Sequence, residues 1–599
     1  MMQKQIKSGE DNSKIILGLL IVVGFLLRLK AALNLEVLAD DMLYASQSAG
    51  IIKAGILSTH SNPPLFFYLT DLAYTLFGYS TFASRFWPLV AGTLLIPLVF
   101  LLTRMLSKNE KVAIGAAFFV TFSTFLIRMT FTEHTLLVLF FVVFACLCGL
   151  SYLKYHNLKW LCLFAISFGL ATLTKYSAPF FFISFCIFLG YLYEQKISFP
   201  QKHSLIKQII IVLGIILLIS LPFLAFNYFI YKEKGIVDVY FSRIIHIEKT
   251  QELYQGLAGQ GESFFNRLAK LSSYSQYKLP LITDPLPTLF SLIGLTLLFL
   301  RKDKNTLPFV LIMIIIPFIL QSGGSGLQKH FAFLHLFLAI PAGFAFVSIK
   351  ERINSKSLRN LFYVILILGM LISLGTAYGT PENFRKQSAT SELKNYVNDK
   401  VGANDLIILD SRIYSARSFW LATPNSFIFS SQFPEVYQSI VNLSAQHLKP
   451  TNVFFVECAI DDCGWGWVQN DQNLNKSSEE LVSLFSQNGI LVKSISAPEY
   501  SKQEFLKKSS EKEIYKVYFL TLNLPPEIIE ESKNIQSFYF TPYLYKNMAN
   551  YIFDYKVEGA GKLLEKLSHW IIYMAIIFTL IILCFVCWLL IRLQNSHYF

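Results

Sequence analysis

Charge is scarce in this sequence. Only 15% of its 599 residues are Asp, Glu, Lys or Arg, while 54% are hydrophobic and 55 are Phe. Soluble domains carry roughly 25% charged residues, so a water-soluble globule is excluded. Cysteine is also sparse. Of eight, Cys146, Cys148, Cys162, Cys186, Cys584 and Cys587 fall inside apolar runs, where a thiol is a small apolar side chain. A disulfide-stapled scaffold is excluded with them, and Cys458 with Cys463 is the one candidate disulfide. Internal repeats and low-complexity segments are missing, and no cleavable targeting segment opens the chain.

What is present is a series of long apolar runs. Hydropathy places spans near 15–35, 82–104, 112–128, 132–153, 158–174, 177–193, 206–230, 286–300, 306–321, 331–349, 359–378 and 570–592, about twelve in all. The fold class is therefore a polytopic α-helical membrane protein. Basic residues sit in alternate short loops, at Arg104/Lys108/Lys111, Lys154/Lys159, Lys196/Lys202/Lys207, Arg301/Lys302/Lys304 and Lys350/Arg352/Lys356/Arg359, and at the N-terminus. The positive-inside bias makes these cytoplasmic, with both termini. The net charge of +13 is then a topology signal directed at acidic membrane lipids, and nothing points to nucleic acid.

Three segments face the other side: 36–81, 231–285 and 380–568. The last alternates short β-branched and aromatic runs (Leu406–Leu409, Ser426–Phe429, Val453–Val456, Ile490–Ile495, Tyr515–Leu522) with helical stretches at 388–400 and 477–488, the second opened by a capping box at Ser477-Ser478-Glu479-Glu480. An extracytoplasmic α/β domain is expected, without a glycine-rich phosphate loop or a nucleophile elbow. The organisation is a transmembrane module at 1–379, this domain at 380–568 and a final span with its tail at 569–599. In 36–81, Asp41 to Ala54 and Leu65 to Phe77 read as amphipathic helices lying on the membrane surface.

Ionisable residues at the membrane are the best guide to chemistry, because each carries a solvation cost that pairing or function must offset. Asp40 and Asp41 follow the first span directly and offer a general base, or an N-cap for the helix that follows. Arg28, Lys30, Arg85, Arg128, Lys175 and Lys329 lie at external span ends against the positive-inside bias, as a phosphate site would require. Glu133-His134 falls in a short external turn, with His60 and His330 on the same side. These could orient an acceptor. A divalent metal is left open, although their spacing matches no ligand pattern.

The combination Arg28, Asp40-Asp41-Met42-Leu43-Tyr44, Asn62-Pro63-Pro64-Leu65-Phe66-Phe67-Tyr68 and Ser84-Arg85, followed by Leu173-Thr174-Lys175 and Lys329-His330-Phe331, resembles the protein O-mannosyltransferase-like and aminoarabinose-transferase-like glycosyltransferases. The resemblance covers roughly residues 15–380. It implies a GT-C fold and a polyprenyl-phosphate-linked sugar as donor, used on the extracytoplasmic side of a cell membrane. It also implies Asp40 as the catalytic base, with Asp41 where many members have Glu. Asn62 stands where the aminoarabinose transferases usually carry a donor-binding Lys, which argues against that sugar. The phosphate is then left to Arg85, Lys175, Lys329 or loop residues such as Arg243, and Tyr44, Glu133, His134 and His60 to the acceptor and its orientation. The reaction implied is a single inverting displacement onto a glycan, lipid or protein hydroxyl. The rival readings are a flippase for a lipid-linked glycan, which would call for inverted repeats and mid-span charges, and a non-catalytic glycolipid-binding relative.

Overall fold

A computed structural model describes residues 2–34, 39–59, 61–195, 202–245, 249–250, 278–324, 328–377, 395–410, 426–430, 448–459, 472–499, 510–529 and 555–595, with scattered positions between them. Among the described residues twelve helices lead through to residue 245: α1 Met2–Asn34, α2 Ala39–Ser48, α3 Ile51–Ala54, α4 Leu65–Phe77, α5 Thr81–Ser107, α6 Glu110–Phe122, α7 Thr124–Arg128, α8 Thr135–Tyr155, α9 Leu158–Thr174, α10 Ala178–Glu194, α11 Lys202–Lys234 and α12 Val239–Ile245. Then come α13 Leu279–Thr283, α14 Pro285–Leu300, α15 Thr306–Gly324, a 3-10 turn at Gln328–Phe331, α16 Ala332–Arg352 and α17 Lys356–Ala377. Among the described residues six helices are long and apolar enough to cross a membrane, and several shorter apolar ones accompany them. The chain is a multi-pass membrane protein.

Each span expected from hydropathy is helical. The run at 112–128 is two helices, because Ser123 turns out of the helix and its hydroxyl caps the next one at Leu126 N. The short turns on the basic side share one device. Lys108 and His156 end their helices in the left-handed conformation, and Asn109 and Asn157 then cap the next helix through their side chains. Lys302, also left-handed, precedes Asp303, whose carboxylate accepts from Asn305, Thr306 and Leu307 N. Two helix crossings need glycine. A Cβ on Gly294 would lie 1.8 Å from the Pro341 carbonyl oxygen, and one on Gly343 2.5 Å from Val112 O. So α14, α16 and α6 pack backbone to backbone, the arrangement that small residues permit in membranes.

In the segment expected as surface helices, α2, α3 and α4 pack against the helix bundle. Leu65 to Leu69 of α4 are wholly buried, and the final helix, α19 (Ala560–Asn595), packs across α4 as well as α11 and α5. The first turns of α4 therefore meet protein, while Leu76 and Phe77 at its end are exposed. Its carboxylate, Asp71, accepts from Gly50 N and Ile52 N, which fixes the break between α2 and α3 at left-handed Gly50.

The later segment holds a five-stranded mixed sheet ordered β2-β1-β3-β5-β4, with β1 Leu406–Leu409, β2 Ser426–Phe429, β3 Lys449–Cys458, β4 Ile490–Glu499 and β5 Ser510–Leu524. β1 runs parallel to β2 and β3, while β5 pairs antiparallel with β3 and β4. One face packs Leu406, Ile408, Val453 and Phe455 under α18 (Gln472–Asn488) through Leu481 and Phe485. That helix begins five residues before the expected capping box. Ser478 instead turns inward and bonds to Ser430 Oγ at 2.9 Å, a tertiary contact in place of a cap. Of the segment expected as a helix at 388–400, the described run 395–400 is helical. Cys458 is disulfide-bonded, and Cys463 lies outside the described residues.

Candidate active site

Helix ends on one side of the bundle deliver most of the expected residues to one buried cluster. Asp41 is on α2, which begins as soon as the first span is over. Arg85 enters one turn into α5, whose N-terminus Ser80 caps by accepting from Ala83 N. Both side chains are essentially inaccessible to water, and they form an ion pair, Arg85 Nη2 to Asp41 Oδ2 at 2.5 Å. Arg85 Nη1 donates to the Ala32 carbonyl at 3.0 Å, so it ties the end of α1 to α2 and α5. Asp41 Oδ1 also accepts from Thr132 N, and Thr132 Oγ1 donates to Ser84 Oγ at 2.9 Å. The carboxylate thus clamps the turn that carries Glu133 and His134.

Glu133 follows at once and is the electrostatic centre. Its Oε1 takes Lys175 Nζ at 2.7 Å, His134 Nδ1 at 2.7 Å and Thr135 Oγ1 at 3.0 Å. Its Oε2 takes Lys329 Nζ at 2.9 Å. Lys175 comes from the C-terminal end of α9 and Lys329 from the 3-10 turn ahead of α16, residues far apart in sequence. Burial by itself would raise the Glu133 pKa, but Lys175, Lys329 and His134 together hold it well below the usual carboxylate range. Burial moves His134 the other way, below the usual imidazole value, so that it is neutral at pH 7.

Aromatic side chains wall this cluster. Lys329 Nζ lies 3.2 Å from the Tyr44 hydroxyl and 4.9 Å from the centre of that ring. Tyr44 packs edge-on against His134, with centroids 4.5 Å apart, and Phe66 and Phe67 enclose the imidazole. His134 Nε2 and both ring nitrogens of neighbouring His330 are buried without a protein partner. Groups in that condition are what a bound ligand or water satisfies.

The structure therefore brings together Asp41, Tyr44, Arg85, Glu133, His134, Lys175 and Lys329. Asp40 is on the first turn of α2 and Arg243 on α12, but their side chains lie outside the described residues, as does His60. Arg28 is apart from the cluster. It is buried between α1 and α6, where it donates to Val120 O, Thr121 O and Gly24 O. Among the described residues no three His, Cys, Asp or Glu side chains form a metal-binding group.

Two supporting clusters escaped the sequence reading. Asp284 ends the turn before α14 and reaches across to cap α7. It accepts from Ser123 Oγ at 2.6 Å and Thr124 N at 2.7 Å, and pairs with His335 Nδ1 at 2.7 Å. Burial opposes its ionisation, yet the bonds from His335, Ser123 and Thr124 keep its pKa below the ordinary value. Because α7 leads directly into the 130–134 turn, this dyad sets where Thr132 and Glu133 sit. A histidine in an otherwise apolar span was the signal for it. Asp238, just ahead of α12, is buried and accepts from Tyr176 OH and Asn227 Nδ2, both at 2.6 Å. It docks α12 beside Lys175, and nothing in the local sequence marks it out.

Residues 61–226 match the family described as dolichyl-phosphate-mannose-protein mannosyltransferase. Two solved structures of ArnT from Cupriavidus metallidurans share the fold. The one bound to undecaprenyl phosphate has a TM-score of 0.51 and 13% identity, covering 84% of this chain and 97% of that one. The apo form gives 0.52 with the same identity and coverage. The Archaeoglobus fulgidus oligosaccharyltransferase, at 15% identity over 81% of this chain and 80% of its own, has a TM-score of 0.43, too low to speak for a common fold. No curated protein matches the chain by sequence. The resemblance read from the motifs is borne out, by family over 61–226 and by the GT-C fold over most of the chain.

Proposed function

We propose that this protein is a membrane glycosyltransferase that moves a sugar from a polyprenyl-phosphate carrier to an acceptor hydroxyl on the extracytoplasmic face, with inversion. The observation that carries the reading is the convergence of Lys175 and Lys329 on buried Glu133, beside the Asp41–Arg85 pair. With His134 neutral, these five charged groups sum to +1 (three cations, two anions), a surplus suited to a phosphate anion in a site of low dielectric.

In this reading Asp40 is the general base. The acceptor oxygen attacks the anomeric carbon as its proton passes to the carboxylate, and the bond to the phosphate oxygen breaks. Negative charge grows on the departing polyprenyl phosphate, where Lys175 and Lys329 stabilise it without reorganising, because Glu133 already holds them in place. Asp41 serves as a positioning residue. Its oxygens already take Arg85 and Thr132 N, which anchor α2 and therefore the neighbouring Asp40. Arg85 has its own donors on Asp41 and Ala32, so the phosphate falls to the lysines, with Arg243 on the adjoining α12 as a further donor. Tyr44, His134 and His60 then line the sugar and acceptor side. The helices at the twelve apolar runs are all taken as spans, and the sheet domain as an external unit over the site.

The test is sugar transfer in membranes from a panel of labelled polyprenyl-phosphate sugars, comparing wild type with Asp40→Asn and Lys329→Met. Loss of transfer by at least about 100-fold in Asp40→Asn, the scale of a missing general base, is expected with normal protein levels. Wild-type turnover in that variant overturns the assignment.

A further inference from the structure

A cavity of about 470 Å³ opens at the other end of the helices that build the catalytic cluster. Helix α5 carries Arg85 near its start and Arg104 near its end, and α8 runs from Thr135 beside Glu133 to Lys154. In both cases nineteen residues separate the two sites, about 28 Å along a helix axis. That is about the thickness of a bilayer's hydrocarbon core, so the cavity lies at the opposite membrane interface.

Its lining is divided by chemistry. Arg104, Lys108 and Lys154 supply three cations against one carboxylate, Glu110. Behind them the wall is hydrocarbon and aromatic, with Phe144, Leu147 and Trp160, and it is closed by Leu589 from the last turns of α19. Phe585 continues the wall, 6.4 Å from Trp160 and stacked on Trp588 at 5.6 Å. Trp588 and Tyr155 are both exposed, at the depth where aromatic residues mark the membrane–water boundary. A soluble anion would use only the cations. An acyl chain would use only the wall.

We propose that this cavity binds an anionic phospholipid from the leaflet opposite the catalytic site. Its phosphate sits between Arg104 and Lys154, and the first part of one acyl chain lies between Phe144, Leu147 and Leu589. Basic pockets between helices at the cytoplasmic interface select acidic headgroups in this way. The lipid would bridge α5 and α8 to the end of α19, which packs chiefly against α11.

Native mass spectrometry of the purified full-length chain tests this, with dioleoyl phosphatidylglycerol and dioleoyl phosphatidylcholine titrated separately. Phosphatidylglycerol should be held about tenfold more tightly at one site, a preference lost in Arg104→Gln/Lys154→Gln. The single variant Lys154→Gln, at an exposed position, should reduce the preference several-fold and stands in if the double variant does not fold. Equal retention of the two lipids, or an unchanged preference in the variants, overturns the proposal. So does displacement of the bound lipid by glycerol phosphate, which would make this a soluble-anion site. The charged residues involved are remote from Glu133, so failure here leaves the catalytic reading standing.

Discussion

Glu133 is the residue on which the site turns. Two lysines and a histidine share one buried carboxylate, and removing its charge leaves the lysines facing each other in a poorly solvated place. Glu133→Gln is expected to destabilise the protein by about 3–5 kcal/mol, the range for a buried pair that loses one partner; thermal unfolding in detergent measures it. Lys175→Met combined with Glu133→Gln should cost less than the two single changes added together, because the double variant strands fewer charges. The pH dependence has a definite sign. The folded pKa of Glu133 is held below its unfolded value, so its contribution to stability is fully present above about pH 4.5 and is lost as pH falls through the folded value. Unfolding monitored from pH 7 down should therefore show no Glu133-dependent loss until below about pH 4.5, and Glu133→Gln should abolish that part of the acid sensitivity.

At the level of elements, the five-residue helix α7 is too short to hold its own place, and Asp284 with His335 holds it. Asp284→Ala removes the cap on α7 and leaves a buried imidazole without its partner. Losses of about 2–3 kcal/mol in stability and a fall in turnover are expected, since the turn bearing Thr132 and Glu133 loosens. Separate kcat and KM measurements would distinguish this from lost donor affinity. The crossing of α14 and α16 gives a second check. Gly294→Val places side-chain carbon against the Pro341 backbone and should cost at least about 1–3 kcal/mol, read as reduced thermal stability with the Glu133 cluster untouched.

For the whole molecule, the helices carry the buried Glu133 cluster and the basic loops to opposite ends. Lys302 sits in a tight basic turn, and Gln487 is exposed on α18 of the sheet domain. Lys302→Cys should react with a membrane-impermeant thiol reagent only after permeabilisation, and Gln487→Cys in intact cells. The reverse pattern would invert the proposed orientation.

The sequence by itself determined the apolar helices, the strand positions and the identity of the charged residues that gather at one end of those helices, because hydrophobic periodicity and the expense of charge in lipid are local properties of the chain. Leu406–Leu409 and Ser426–Phe429 appear at the expected residues, and each apolar run is helical, the one at 112–128 broken in two at Ser123. What the tertiary structure alone decided is who pairs with whom. That Glu133 would gather Lys175 and Lys329, that Asp41 would lock Arg85, and that Asp284 would reach 161 residues back to Ser123 depends on how helix ends meet in space. Spacing along a chain says nothing of that, since a buried carboxylate takes its partners from whichever elements pack around it.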